Sequence, residues 1–172
     1  MAGRILIIDD EKDMLTLLKR IISEETDHHV TADNDPVNAL KLFKEKPFDL
    51  VITDLKMPKM GGMALLAEMK KIRPEISVVI ITAYATIETA VEAVKHGAYD
   101  YITKPFKRER ILLTIDKVMA WRKILAENMS LREVLANKAG APHMIGATPI
   151  MKKIVEKIKQ VAPATATVLT WL

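Results

Sequence analysis

Four apolar runs in this chain each end in a polar group. Asp9-Asp10 follows Ile5-Leu6-Ile7-Ile8, and Thr53-Asp54 follows Leu50-Val51-Ile52. Thr82 follows Val78-Val79-Ile80-Ile81, and Lys104-Pro105 follows Tyr101-Ile102. A short apolar run that stops at a polar residue reads as a buried strand meeting a loop, and Pro58 marks such a loop just after Asp54. If these strands lie parallel in one sheet, its carboxyl edge collects three carboxylates, a hydroxyl and an ammonium. That edge is where open parallel sheets bind ligands. Carboxylates so crowded repel and raise each other's pKa values, and a divalent cation relieves the repulsion. Oxygen ligands with open water positions suit Mg²⁺. A carboxylate beside such an ion can attack phosphorus and form an aspartyl phosphate. Lys104 and the metal would neutralise charge on the transferred group, and Thr82 could donate its hydroxyl to a phosphate oxygen. Taken singly, each residue has a plainer reading. Asp54 is then a turn aspartate, Asp9 and Asp10 cap a helix that begins near Glu11, Thr82 closes a strand, and Lys104 is a surface lysine. Their order and spacing together favour the site.

The elements that must position these groups alternate along the chain. Strands are expected at Arg4 to Ile8, His28 to Ala32, Phe48 to Thr53, Ile76 to Ile81 and Tyr99 to Ile102. Between them lie helical patterns. Met14, Leu17, Leu18, Ile21 and Ile22 share one face between Glu11 and about Glu25. Asp35 caps a second helix, with Pro36 in its first turn and Ala39, Leu40 and Phe43 facing the core. Met63, Leu65, Leu66, Met69 and Ile72 mark a third, which ends before Pro74. Ile87 to Lys95 forms a fourth, closed by Gly97. Five strand–helix alternations predict a parallel sheet with helices on both faces.

A fifth helix starts near Arg108. No Gly or Pro occurs from Ile111 to about Leu135, so it runs to roughly twice the usual length. Ile111, Leu112, Ile115 and Val118 suit packing on the sheet. Beyond them Trp121, Ile124, Asn128, Leu131 and Leu135 alternate four and three apart, as in a coiled-coil seam with a polar Asn at a core-type position. The same stripe also suits a helix packed on its own domain. Ala139-Gly140-Ala141-Pro142 then breaks the helix. Thr148-Pro149 reads as a cap with Pro at the first helical position. Ile150, Met151, Ile154, Ile158 and Val161 form a helical stripe, and Thr167 to Leu172 suits the start of a strand. So short a segment buries no core of its own and reads as the opening of a second domain.

Composition narrows the class. The chain has 172 residues, 49% of them apolar, a net charge of +4 and no cysteine. This is enough for one buried core and part of another. Disulfides and thiolate metal sites are excluded, and the positive balance is too small to indicate nucleic acid. No apolar run reaches transmembrane length and the N-terminus has no signal-peptide pattern. The expected compartment is the cytoplasm, with no membrane contact.

Asp9-Asp10, Asp54-x-x-Met57-Pro58-x-x-x-Gly62, Thr82-Ala83 and Tyr101-x-x-Lys104-Pro105 resemble the receiver domain of two-component response regulators. The resemblance covers residues 1–119. It implies a flavodoxin-like (βα)5 fold with strand order 2-1-3-4-5. It implies Asp54 as phospho-acceptor from a sensor histidine kinase, and Asp9, Asp10, Asp54 and the Lys56 backbone carbonyl as Mg²⁺ ligands. Lys104 would contact the phosphate, Thr82 and Tyr101 would form the coupled switch pair, and the bond before Pro105 would be cis. Gly61 stands where the family often has Asp. Tyr84-Ala85-Thr86-Ile87-Glu88-Thr89-Ala90, Gly97-Ala98-Tyr99-Asp100-Tyr101 and Ile145-Gly146-Ala147-Thr148-Pro149-Ile150-Met151 are similar to the NtrC family of sigma-54-dependent transcriptional activators. On that likeness residues 120–140 are the linker helix and 141–172 the start of an AAA+ ATPase domain. No G-x-x-x-x-G-K-[ST] phosphate loop and no helix-turn-helix is found, so no ATPase activity is expected. Contact with sigma-54 RNA polymerase and DNA would be left to domains beyond this sequence.

The function expected is a phosphorylation-controlled regulatory module that forms a homodimer through its linker helices. The alternatives are an Asp-nucleophile phosphatase or phosphotransferase and a docking domain that is never phosphorylated. The phosphatase needs a second acid, and only Asp9 and Asp10, claimed by the metal, are at hand. The intact acidic set argues against the docking domain.

Overall fold

The computed structural model describes residues 2–139; of the expected break Ala139 still belongs to a helix, while Gly140 to Pro142 and the segment after them lie outside the described residues. Five strands form one parallel sheet: β1 (Arg4–Ile8), β2 (His29–Asp33), β3 (Leu50–Asp54), β4 (Ser77–Thr82) and β5 (Asp100–Thr103), in the order β2-β1-β3-β4-β5. The helices are α1 (Lys12–Glu25), α2 (Pro36–Glu45), α3 (Gly62–Ile72), α4 (Ile87–Lys95) and α5 (Arg108–Ala139). This is the flavodoxin-like order expected from the sequence. The chain divides into two units, Met1–Ala126 and Glu127–Leu172, and the first holds the whole sheet.

Strand side chains alternate between two cores, because a strand's period is two. Leu6, Ile8, Val51, Val78 and Ile80 face Ala39 and Phe43 of α2, Leu65, Leu66 and Met69 of α3, and Ala93 of α4. Ile5, Ile7, Leu50, Ile52, Val79 and Ile81 face Leu18 and Ile22 of α1 and Ile111, Ile115 and Val118 of α5. β1, β3 and β4 are buried on both faces and therefore read as unbroken apolar runs rather than as alternating ones. Burying a side chain such as Phe43 fully contributes about 1.5–3 kcal/mol.

Local signals set the helix ends. The Asp35 side chain accepts from Val37 N at 2.9 Å and Pro36 opens α2. α4 closes with Ala98 N donating to Ala93 O and Gly97 N to Val94 O, with Gly97 at φ +87°. Only a residue without Cβ adopts that conformation at no steric cost.

Three expectations are corrected. Strands β2 to β5 each begin and end a residue or two later than read, so Asp54 and Thr82 are the last residues of β3 and β4 rather than the loop beyond them. Leu17 is exposed: it looks onto a groove lined by Ile21 of α1 and by Phe106 and Arg108. Ile72, the last residue of α3, is also exposed.

α5 is a single helix of 32 residues. Near the amino edge of the sheet it is fastened to the domain. Arg122 pairs with Asp49 Oδ1 at 2.9 Å and donates to the Asp49 carbonyl at 3.0 Å, while Asp49 Oδ2 accepts from Arg4 N. Trp121, Ile124, Asn128 and Leu131 are exposed; Leu135 lies within the helix, where its side chain is not described.

Candidate functional site

The reversal of strand order between β1 and β3 opens a crevice at the carboxyl edge, and the two strands bring Asp9 and Asp54 to its floor. Asp54 is 6% exposed and Asp9 2%. Lys104, just past β5, reaches across the edge. Its Nζ donates to Asp9 Oδ2 at 2.8 Å and lies 3.1 Å from Asp54 Oδ1 and 3.6 Å from Glu11 Oε1. The Lys104–Pro105 peptide is cis.

Each carboxylate is also held by backbone. Asp9 Oδ1 accepts from Glu11 N at 2.9 Å, and Asp54 Oδ2 accepts from Lys56 N at 2.7 Å. So Asp9 does two tasks that the sequence offered as alternatives: it shapes the turn into α1 and it lines the site. Glu11, the residue before α1, makes no side-chain cap of its own.

One ammonium is shared between two buried acids, and the electrostatics follow from that. Burial pushes the Asp54 carboxyl up from its ordinary value. The Lys56 N–H and Lys104 pull it down without making up the loss, and the Asp9 charge adds to the rise. Burial alone would lower Lys104, but its hydrogen bonds to Asp9 and Asp54 and their charges outweigh that, so the ammonium is held above its usual range. Among the described residues no buried side-chain nitrogen or oxygen lacks a hydrogen-bond partner.

Asp10 departs from the expected cluster. It is exposed, and among the described residues no three acidic or imidazole side chains converge as a ready-made metal cage. The groups nearest the crevice are nonetheless carboxylate oxygens with no thiolate or imidazole among them. That donor set fits a hard, partly hydrated cation such as Mg²⁺.

Thr82 is fully buried, and its Oγ1 accepts from Tyr84 N at 3.1 Å. A hydroxyl that accepts there still has its own proton to donate. Lys56 Nζ lies 3.9 Å from the centre of the Tyr84 ring. The loops after β3 and β4 are thereby joined by a cation–π contact. Tyr101 is half-buried on β5, with its hydroxyl 3.0 Å from Thr89 Oγ1 of α4. Sequence reasoning passed over Thr89 as a functional partner. Its only signal was Thr86-x-x-Thr89, a capping box with Thr where Glu or Gln is usual.

Response regulator receiver domains match residues 5–116. The chain belongs to the response regulator receiver family. Over 166 residues the receiver and its extension are 39% identical to the transcriptional regulatory protein ZraR of Escherichia coli K12, covering 96% of this chain and 36% of that protein. The crystal structure of NtrX from Brucella abortus superposes with TM-score 0.73 at 34% identity, covering 98% of this chain and 36% of that one. The solution structure of the beryllofluoride-activated NtrC4 receiver domain dimer superposes with TM-score 0.64 at 36% identity, covering 67% of this chain and 94% of that one. These relatives are NtrC-family regulators, and the receiver of this chain is of that family. It spans little more than a third of the length of the curated relatives it matches. Among the described residues no helix is long and apolar enough to cross a membrane.

Proposed function

We propose that this receiver is a phosphorylation switch in which Asp54 takes a phosphoryl group from a sensor histidine kinase. The observation that carries the reading is the pairing of Asp54 with Lys104 at 3.1 Å inside a nearly closed crevice. An Asp54 oxygen attacks phosphorus, and the phosphorus–nitrogen bond to the donor imidazole breaks with its electron pair staying on that nitrogen. Lys104 is placed to follow the charge, exchanging its Asp54 contact for a phosphoryl oxygen while keeping Asp9. Lys56 N steadies the second Asp54 oxygen. Thr82 offers its free proton to another phosphoryl oxygen. Asp9, Asp10, Asp54 and the Lys56 carbonyl would hold Mg²⁺, whose contribution when bound is to neutralise charge on the transferred group.

The output is a change of shape. Thr82 moves toward the phosphoryl group and vacates space into which Tyr101 turns, so the surface formed by α4, β5 and α5 is altered. Going from 1:99 to 99:1 between the two shapes takes about 5.5 kcal/mol of differential stabilisation. Trp121, Ile124, Asn128, Leu131 and Leu135 form a two-stranded seam with a second copy, and phosphorylation acts on that homodimer in the cytoplasm. In the whole protein this controls a sigma-54-dependent activator, with sigma-54 RNA polymerase and DNA contacted by other domains. Residues 141–172 begin its AAA+ domain, and without a phosphate loop in this sequence the chain itself does not hydrolyse ATP.

The test is incubation with a small acyl phosphate and Mg²⁺ followed by intact mass. One phosphate adduct, absent in Asp54→Ala, is expected. Steady release of many phosphates per chain would instead indicate a phosphatase, and no adduct a docking domain. Asp9→Asn and Asp10→Asn should both weaken Mg²⁺ binding by calorimetry; unchanged affinity in both removes them as ligands. Thr82→Ala should still take the phosphate but leave the Tyr101 surface unresponsive.

A further inference from the structure

We infer that Asp35, the N-cap of α2, is a positioning residue for phosphotransfer at Asp54. Through Lys59 it holds the β3–α3 loop in a strained turn and keeps the Lys56 backbone in place against the acceptor. The part in phosphotransfer rests on the reading above; the tether stands on the geometry.

The loop from Leu55 to Gly62 contains a turn that its own sequence does not favour. Lys59 is the one residue other than glycine with positive φ among the described residues, at +67°. Met60 N donates to Pro58 O at 2.7 Å across it. A bond closed around one residue of positive φ is the γ-turn of the rarer and more strained hand. Glycine or asparagine sits there at less cost than lysine. Such a conformation persists where contacts outside the turn hold it.

Lys59 Nζ donates to Asp35 Oδ2, 24 positions earlier in the chain. An exposed ion pair adds little by Coulomb attraction alone. Here, however, the carboxylate is fixed beforehand. Asp35 Oδ1 accepts from Val37 N at 2.9 Å, and Asp35 N donates to Asp33 Oδ1 at 2.9 Å. Only the lysine side chain is left to be ordered. The hydrogen bonds from Lys59 and from Val37 N hold the Asp35 carboxyl below its ordinary value, so it stays an anion.

β1 lies between β2 and β3, so the tether passes the carboxyl end of β1, where Asp9 and Asp10 stand. On the other flank of the loop, Lys56 Nζ meets the Tyr84 ring at 3.9 Å. The loop is thus held from both sides, and Gly62 N closes it onto Leu55 O at 2.8 Å. Lys56 lies inside this closed loop, shortly before the turn, and its N–H holds Asp54 Oδ2 at 2.7 Å. Releasing Lys59 removes the attachment on the β2 side, and the Lys56 N–H then spends less time on the acceptor.

Amide hydrogen exchange of Lys56 and Met60, read by NMR on this chain without metal, tests the tether. Asp35→Asn keeps an oxygen to cap α2 but removes the charge that holds Lys59. It should speed both amides about twofold to tenfold, the range set by one hydrogen bond of ordinary net strength. Val37 exchange and the urea midpoint should stay at wild-type values. Lys59→Met should give the same acceleration, and Asp35→Asn should add nothing to it, since both remove one contact. Lys59→Arg, which keeps a cation, should restore slow exchange. Wild-type exchange in both Asp35→Asn and Lys59→Met overturns the tether. The rate of adduct formation with acyl phosphate and Mg²⁺ tests the positioning. Asp35→Asn and Lys59→Met should slow it by a similar factor. Faster amides with a wild-type rate overturn the positioning role. If the wild type itself forms no adduct, the phosphoacceptor reading fails, and amide exchange still decides the tether.

Discussion

Gly62 and Asp54 are in backbone contact across the β3–α3 loop: a Cβ built on Gly62 falls inside 3.0 Å of the Asp54 carbonyl oxygen. Gly62 N also donates to Leu55 O at 2.8 Å. The start of α3 is pressed against the strand end that carries the acceptor, and only glycine leaves room for both. Gly62→Ala should therefore cost about 1–3 kcal/mol, the usual penalty of overpacking a filled site, and should slow phosphate uptake by displacing Asp54. Urea unfolding and the rate of adduct formation check this. Wild-type values for both would mean that the loop adjusts freely and does not position the acid.

The raised pKa of Asp54 makes a signed prediction for the metal-free protein. A carboxyl whose folded value lies above its ordinary 3.8 binds its proton more tightly when folded. Its stabilising contribution is full below 3.8 and is lost as pH rises through the folded value. Asp54→Asn has no such charge to bury. In chelator, the variant should exceed the wild type in stability at neutral pH, and the gap should close as pH falls toward 3.8. The gap changes by up to about 1.4 kcal/mol per pH unit inside that window. A gap that stays constant with pH would show that burial does not penalise the Asp54 charge.

Asp49 ties α5 to the first strand by accepting from Arg4 N and pairing with Arg122. Both partners are about a third exposed, so the ion pair adds at most about 1 kcal/mol and the backbone bond a similar amount. Asp49→Ala should lower stability by about 1–2 kcal/mol and speed amide exchange near Arg122, with phosphate uptake at the opposite edge unchanged. Lost uptake with unchanged stability would contradict the assignment of Asp49 to fastening alone.

Trp121, Ile124 and Leu131 expose large apolar area along α5, and a second copy is the proposed cover. A two-fold contact is self-complementary, so one substitution is felt twice. Ile124→Asp should turn a dimer into a monomer by light scattering at micromolar concentration while leaving adduct formation intact. A chain shortened to end at Met119 should also be monomeric. If the shortened chain dimerises as well as the longer one, the linker is not the contact.

Much of this receiver was legible in the sequence because its signals are local or periodic. Apolar runs ending at Asp54, Thr82 and Asp9 are too short for buried helices and are bounded by loop signals, so they read as strands buried on both faces. Alternating strand and helix patterns require a parallel sheet, and Asp35-Pro36 and Gly97 mark helix ends through their own backbone chemistry. What depended on contacts between distant residues could be decided only in three dimensions. Lys104 reaches Asp9 across 95 positions of sequence, and that meeting makes one ammonium serve two acids and leaves Asp54 under-compensated. Asp10, next to Asp9, turns out to solvent because successive residues leaving a strand point to opposite sides. Leu17 and Ile72 fit their helical stripes, yet both remain exposed in the folded domain. Thr89 was legible only as the far end of the Thr86-x-x-Thr89 cap; its meeting with the Tyr101 hydroxyl depends on α4 packing beside β5.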